Sequence, residues 1–269
     1  MNDTSKIHFR NVHLSFGDRV VLDGVNFHVR SGELKVILGA SGSGKSTILR
    51  LILGLIKPDA GEIIINGEDI AGHTETQLMP IRQRISMVFQ EGALFDSLTV
   101  YENIAYRPRE LGWDEEKIEQ HVRRVLEEVN LSGEADAFPN QLSGGMRRRV
   151  AFARAVVDEL EIILFDEATA GLGPPTARDI CRLMIRLRDI ERVGVIFVTH
   201  RLNDVRYLAS NYLVAEDGRQ MQFRQDENSG LAHTKILLLR DGKLAFEGTA
   251  EELWSADDAY IRNFLRVDD

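Results

Sequence analysis

The chain carries a single cysteine, Cys181, in 269 residues. No disulfide can form within it, which fits a reducing compartment. Cys181 itself falls in a helical pattern and reads as a small helix residue without chemistry. Long apolar runs are also missing. A bilayer span needs about 18 apolar residues, and the best stretch here, 48–56, is interrupted by Arg50. The opening residues Met1-Asn2-Asp3-Thr4-Ser5-Lys6 lack the apolar centre of a secretory leader. Action at a membrane is therefore expected to run through a partner. Basic charge is in deficit, with 33 Lys+Arg against 42 Asp+Glu and a net charge of −9. Nucleic acid would need a local basic patch against that background, and Arg147-Arg148-Arg149 is too short to serve as one. No internal repeat and no low-complexity linker appear. The length predicts one large domain, or one with a small appendage. Hydrophobic content of 43% and charged content of 28% suit an ordinary core under a soluble surface.

What is present is concentrated in Gly39-Ala40-Ser41-Gly42-Ser43-Gly44-Lys45-Ser46-Thr47. This stretch fits G-x-x-x-x-G-K-[ST], the phosphate-binding loop. Leu34 to Leu38 upstream reads as a buried strand. Downstream, Ile48, Leu49, Leu51, Ile52 and Leu55 recur at helical spacing. A strand, a glycine-rich turn and a helix aim backbone N–H groups and the positive end of the helix dipole at one point. The glycines let the backbone approach phosphate oxygens closely. Lys45 supplies a cation for the β- and γ-phosphates of a nucleotide such as ATP, and Ser46 a hydroxyl ligand for Mg²⁺.

Strands and helices then alternate. Residues 7–29 read as β structure with a Gly17-Asp18 turn, and 61–67 as a strand ending in Asn66-Gly67. Residues 84–89 are a further strand candidate. Ile118, Val122, Val125, Leu126 and Val129 share a helix face behind Asp114 as N-cap. Residues 161–166 and 194–199 read as strands, with an amphipathic helix through Ile180, Leu183, Met184 and Leu187 between them. This alternation predicts an α/β fold with a mostly parallel sheet, whose ligands sit at the carboxyl ends of the strands. Asp217-Gly218 predicts a hairpin between Leu213-Val214-Ala215 and Gln220 to Phe223, with Gln225 to Gly230 as a polar loop.

Ile162 to Phe165 deliver Asp166 and Glu167 to the phosphate loop. Asp166 can bind Mg²⁺ through water, and Glu167 stands where a water is polarised for in-line attack on a γ-phosphate. Leu142-Ser143-Gly144-Gly145-Met146 opens a second helix with exposed N–H donors. One nucleotide does not need two such helix ends in one domain. The second end is expected to complete the site of another subunit. His200 follows a strand end, where it can contact a γ-phosphate, and it has no metal-ligand partner at i+3 or i+4.

On these motifs the chain resembles the ATP-binding subunits of ABC transporters along nearly its whole length. The resemblance implies a P-loop NTPase of ABC type, with an antiparallel β subdomain and a helical subdomain over about 91–160. It implies Gly39 to Thr47 as Walker A, Gln90 as the Q-loop glutamine and a Mg²⁺ ligand, and Leu142 to Met146 as the signature motif. Asp166 and Glu167 then end Walker B, and His200 is the switch histidine. Phe16 falls where the family stacks an aromatic on adenine; a core aromatic is the alternative reading. Two copies are expected to form a homodimer around ATP and Mg²⁺.

Three positions depart from the family pattern: Met146 replaces Gln, Ala168 replaces Pro, and Gly173 replaces the interface-spanning D-loop Asp. The segments 89–95, 100–106 and 142–149 look like the Mla/Mce branch, the lipid-transport ATPases of the bacterial envelope. That likeness implies a peripheral place on the cytoplasmic side of the inner membrane, a permease docked near Gln90 to Phe95, and an Mce-type lipid-binding subunit. For Leu94-Phe95, groove contact and local core packing stand as alternatives. The 216–234 insertion reads as a regulatory surface or as a neutral addition. The 250–269 tail either reaches the neighbouring subunit or frays.

Overall fold

A computed structural model describes residues 5–90, 92–158, 160–216, 220–225 and 233–267. The chain opens with β1 (Ser5–Phe16), β2 (Arg19–Arg30) and β3 (Leu34–Gly39), then α1 (Lys45–Ile52). β4 (Ala60–Ile65), β5 (Glu68–Asp69), α2 (Glu75–Arg82) and β6 (Ile85–Val88) follow. A helical stretch holds α3 (Val100–Glu110), α4 (Glu115–Glu128) and α5 (Gly144–Ala155). β7 (Ile162–Asp166), α6 (Pro174–Asp189), β8 (Gly194–Val198) and α7 (Leu202–Ser210) return to strand–helix alternation. Last come β9 (Asn211–Glu216), β10 (Gln220–Gln225), β11 (Thr234–Arg240), β12 (Lys243–Gly248), α8 (Ala250–Ser255) and α9 (Ala259–Val267).

The central sheet runs β12-β11-β3-β8-β7-β6, and all its pairs are parallel except β11–β12. Every residue of β3 is buried, as expected of a strand covered on both faces, and the one charge in it, Lys35, is paired with Glu33 and Glu247. The period-2 alternation divides it between two cores. Leu34, Val36 and Leu38 face the core built with α3, α4, α5 and α6. Ile37 faces the other, built with α1 and the antiparallel strands. Ile163 and Phe165 against Ile162 and Leu164 repeat the division on β7.

The antiparallel sheet is ordered β2-β1-β4-β5. Its β4–β5 turn uses Asn66 and Gly67, both at positive φ (51° and 86°), as the Asn-Gly signal requires. In the helical stretch, Asp114 accepts from the Lys117 amide at 2.8 Å and starts α4 where expected. Thr99 and Glu102 close a capping box on α3.

β9 and β10 pair as the predicted hairpin, with Leu213 opposite Phe223. The Asp217-Gly218 turn lies outside the described residues. Gln225 belongs to β10 rather than to the polar loop, and residues 226–230 of that loop are outside the described residues. Arg188 anchors the base of the hairpin. It is fully buried and donates to the Leu208 carbonyl at 3.0 Å, Thr234 Oγ1 at 2.6 Å and the Asn211 carbonyl at 2.9 Å. Its ion-pair partner Asp189 accepts from the Leu213 amide at 2.8 Å. A buried charge is tolerable only with such full pairing. The tail does not fray through 267: α9 buries Ile261 and Leu265 against its own chain.

Candidate active site

The phosphate loop turns from the carboxyl end of β3 into α1. Gly39 has φ 152°, and a Cβ there would lie 2.6 Å from Ser43 Oγ and 2.7 Å from the Leu239 carbonyl oxygen. Gly44, the N-cap of α1, has φ 103° and offers no side-chain cap, so the first amides of α1 keep their hydrogens for a ligand. Ala40, Ser41 and Gly42 form the exposed lip. Lys45 is buried beneath them, and its Nζ donates to the carbonyls of Gly39 at 2.7 Å and Ala40 at 3.0 Å. Burial holds its pKa below the ordinary lysine value, opposed by Glu167 and Asp166. Ser43 Oγ is buried without a partner, an acceptor–donor left for a ligand. Thr47 is half-buried on the first turn of α1.

The sheet brings Asp166 to the same place. Ser46 Oγ donates to Asp166 Oδ1 at 3.1 Å, so the two oxygen groups assigned to Mg²⁺ lie side by side. Two hard oxygen donors of this kind suit Mg²⁺, which binds through few protein groups and keeps waters. Glu167 sits in the left-handed region at φ 52°, uncommon for a residue with a side chain and concentrated at functional sites. Its amide donates to the Val198 carbonyl at 2.9 Å, which holds that conformation. One carboxylate oxygen, Oε1, meets His200 Nδ1 at 3.0 Å; the other, Oε2, is buried without a partner. Glu167 is mostly buried while the His200 ring is 55% exposed, so the pair opens to solvent through the histidine. Ala168, in the place of the family's Pro, is buried just behind.

Phe16 is 54% exposed at the end of β1. Across the turn its register partner Arg19 donates to the Gly42 carbonyl at 3.3 Å, which sets this aromatic hairpin end against the phosphate loop. The core-aromatic alternative is thereby excluded. No sequence signal pointed to Arg19, because a salt-free contact with a backbone carbonyl leaves no pattern. The Gln90 side chain is exposed and makes no hydrogen bond among the described residues. Its backbone carbonyl accepts from Arg148 Nε at 2.8 Å.

The second helix end stands apart from these groups, with no described contact to the phosphate loop. Ser143 is the N-cap of α5 and its Oγ accepts from the Met146 amide at 3.2 Å. Gly144 is open, whereas a Cβ on Gly145 would come within 3.0 Å of Thr176 Cγ2 on α6. Arg147, Arg148 and Arg149 are not a free basic patch. They donate to the carbonyls of Leu142, of Gln90 and Ala170, and of Val129. Gly173 caps α6 in an extended conformation that any residue adopts, with ordinary space around it.

Leu94 and Phe95 divide between their two readings. Leu94 packs against the core. Phe95 is exposed, tilted on Tyr106 at 4.8 Å, and lines a groove of about 590 Å³ with Met79, Met87, Phe89 and Leu111.

The family model described as "ABC transporter" matches residues 22–170. A methionine import ATP-binding protein from Leifsonia xyli is 40% identical over 80% of this chain and 64% of its own length. The chain thus spans about 64% of that relative. The intermembrane phospholipid transport system ATP-binding protein of Haemophilus influenzae is 35% identical over 97% of this chain and 90% of its own length. Among solved structures, the dimeric post-hydrolysis state of the ATP-binding cassette MJ0796, bound to ADP and Pi, superposes with a TM-score of 0.75 at 30% identity. That match covers 90% of this chain and 98% of that one.

Proposed function

The chain belongs to the ABC transporter family, and from that premise we propose that it is the ATP-hydrolysing motor of a membrane transporter. The observation that carries the reading is the convergence of Lys45, Ser46, Asp166 and Glu167, with one Glu167 oxygen buried and unpaired. Gly39 to Thr47 wrap the phosphates, Lys45 exchanges its loop carbonyls for β- and γ-phosphate oxygens, and Phe16 carries the adenine. Ser46, Asp166 and Gln90 would hold Mg²⁺. When bound, that ion supplies neutralisation of charge on the transferring phosphoryl group. Glu167 orients and deprotonates the attacking water through its free oxygen, and His200 fixes the other oxygen. Ser143, Gly144 and Gly145 of a second copy close over the γ-phosphate, so two copies share two sites. Residues 91–160 act as the helical subdomain that carries this second end.

The groove under Phe89 and Phe95 receives a helix of a membrane permease, in the manner of an apolar helix face laid in an apolar cleft. The chain then sits peripherally on the cytoplasmic side of a bacterial inner membrane. It binds no nucleic acid, since its arginine run is spent on internal carbonyls. For cargo we favour phospholipid or another lipid, with an Mce-type subunit as further partner. Support comes from the H. influenzae phospholipid-transport relative, which aligns along nearly both whole lengths. The competing reading is a small-solute importer, favoured by the 40% identity of the methionine-import relative. Purification from membranes with associated subunits, followed by lipid extraction and amino-acid binding, decides. Co-purified phospholipid supports the first, and saturable methionine binding without lipid supports the second. A purified chain without ATPase activity, alone or in membranes, would instead leave a nucleotide-switched protein outside transport.

A further inference from the structure

Arg148 joins three elements around the site: α5, the Gln90 backbone and the strap behind Glu167. It lies on α5, five residues past Ser143. Its Nε donates 2.8 Å to the Gln90 carbonyl, two residues past β6. Its Nη1 donates to the carbonyl of Ala170, in the strap that runs from Glu167 to Gly173. That strap is tied to Glu167 itself, because the Ala170 amide donates to the Glu167 carbonyl at 2.9 Å. From the other side Arg201, next to His200, donates to the carbonyls of Thr169 at 2.5 Å and Leu172 at 3.1 Å. Six residues further along α5, Arg154 holds the carbonyls of Gly92 at 3.1 Å and Ala93 at 2.9 Å. Ala93 is at φ 46°, so this guanidinium steadies a strained turn.

We propose that Arg148 is a positioning residue that couples the Gln90 backbone and the α5 helix to the strap behind Glu167. The inference rests on the site assignment above. Its physical basis is the planar fork of the guanidinium, which spans two carbonyls at fixed angles; a lysine ammonium is a point charge and does not do so rigidly. The coupling runs through main-chain carbonyls, so it does not depend on the side chain that Gly173 lacks. A shift of α5 or of the groove loop is passed to the segment bearing the catalytic carboxylate without any contact to nucleotide. The phosphate loop and Lys45 lie outside this linkage, so ground-state binding of ATP is unaffected by it.

The test is steady-state ATP hydrolysis by the purified full chain as Arg148→Ala and Arg148→Lys, with Glu167→Gln as control. Misplacing a reacting group by about 1 Å costs up to ~100-fold, so Arg148→Ala is expected to lower kcat ~10- to 100-fold with KM for ATP within about twofold. Guanidinium ion at low millimolar concentration should restore part of the loss, where sodium chloride at equal ionic strength does not. Arg148→Lys should keep the parental melting temperature and KM yet stay well below parental kcat. Parental kcat in either variant overturns the proposal, as does a loss that guanidinium leaves unchanged or that appears equally in KM. If Glu167→Gln retains turnover, it is the underlying site assignment that fails. If that control is dead while Arg148→Ala is fully active, this inference alone fails.

Discussion

Two helix N-termini in this chain look alike in sequence and differ in chemistry. α1 begins at Gly44, whose φ of 103° leaves no side chain to cap the helix, and Ser43 Oγ beside it is buried without a partner. α5 begins at Ser143, whose own oxygen satisfies the Met146 amide. The first end has donors that nothing among the described residues uses, together with a buried cation at 2.7 Å from its loop carbonyl. The second is already capped, and what it has to offer is the remaining hydroxyl proton and the open face at Gly144. An uncapped end with a lysine is built to hold a polyphosphate alone. A capped end is built to add a contact to something already held. In the proposed shared site the same division separates binding from turnover, with α5 serving the neighbouring copy.

The sharpest way to break the comparison is to remove the chemistry while leaving both ends intact. Glu167→Gln should slow hydrolysis by roughly 10²- to 10⁴-fold, the range for loss of a positioned general base, while ATP still binds; unchanged turnover removes Glu167 from the mechanism. Lys45→Ala attacks the α1 end. It should weaken ATP binding by about 10- to 100-fold, the value of a charged hydrogen bond, and an unaltered affinity by calorimetry would contradict the phosphate-loop assignment. Ser143→Phe attacks only the α5 end. Turnover should collapse with first-encounter affinity preserved, and mixing with Lys45→Ala should recover one composite site. Absence of recovery in a demonstrated mixed dimer argues against sharing.

Smaller effects sharpen the picture. Gly173→Asp meets no steric barrier and supplies a good N-cap to α6. It should raise melting temperature slightly and increase cooperativity in ATP concentration; a lower Hill coefficient would show that the missing carboxylate was not a link between sites. The smallest concerns ends capped like α5. Glu102 and Glu252 have pKa values lowered by hydrogen bonds from the Thr99 and Thr249 backbone. Their folded forms favour the charged state, so this stability is present above the unfolded carboxylate pKa and is lost as pH falls through the lowered one. Replacing both by Ala should flatten the acid side of the melting curve against pH, and an unchanged slope would deny the caps this role.

The phosphate loop, Asp166 and Glu167 were legible because their chemistry requires fixed residue types at fixed spacing on a strand end. β4, α4 and β7 were legible from turn and cap signals that act locally. β11 was not, although Ile236 to Leu239 is wholly apolar: it pairs with β3, which precedes it by some two hundred residues, and nothing local announces that. The short α7, α8 and α9 went unread although Leu202, Val205, Leu208 and Ile261, Phe264, Leu265 recur at helical spacing, because elements of six to nine residues give periodicity too little length to stand out. The linking contacts of Arg148, read only as part of a basic cluster, and of Arg201 were illegible for a different reason. The contacts that join these arginines to the strap are to backbone carbonyls, which every residue has, so those contacts leave no trace in residue type.

Shared-site hydrolysis requires the capped serine to meet the phosphate held by the other copy. A cryo-EM map of the Glu167→Gln variant saturated with ATP and Mg²⁺ measures this directly. The predicted result is a two-fold pair in which each triphosphate lies between Lys45 of one copy and Ser143 of the other, both within hydrogen-bonding distance. Two copies with occupied phosphate loops and both serines facing open water would contradict it.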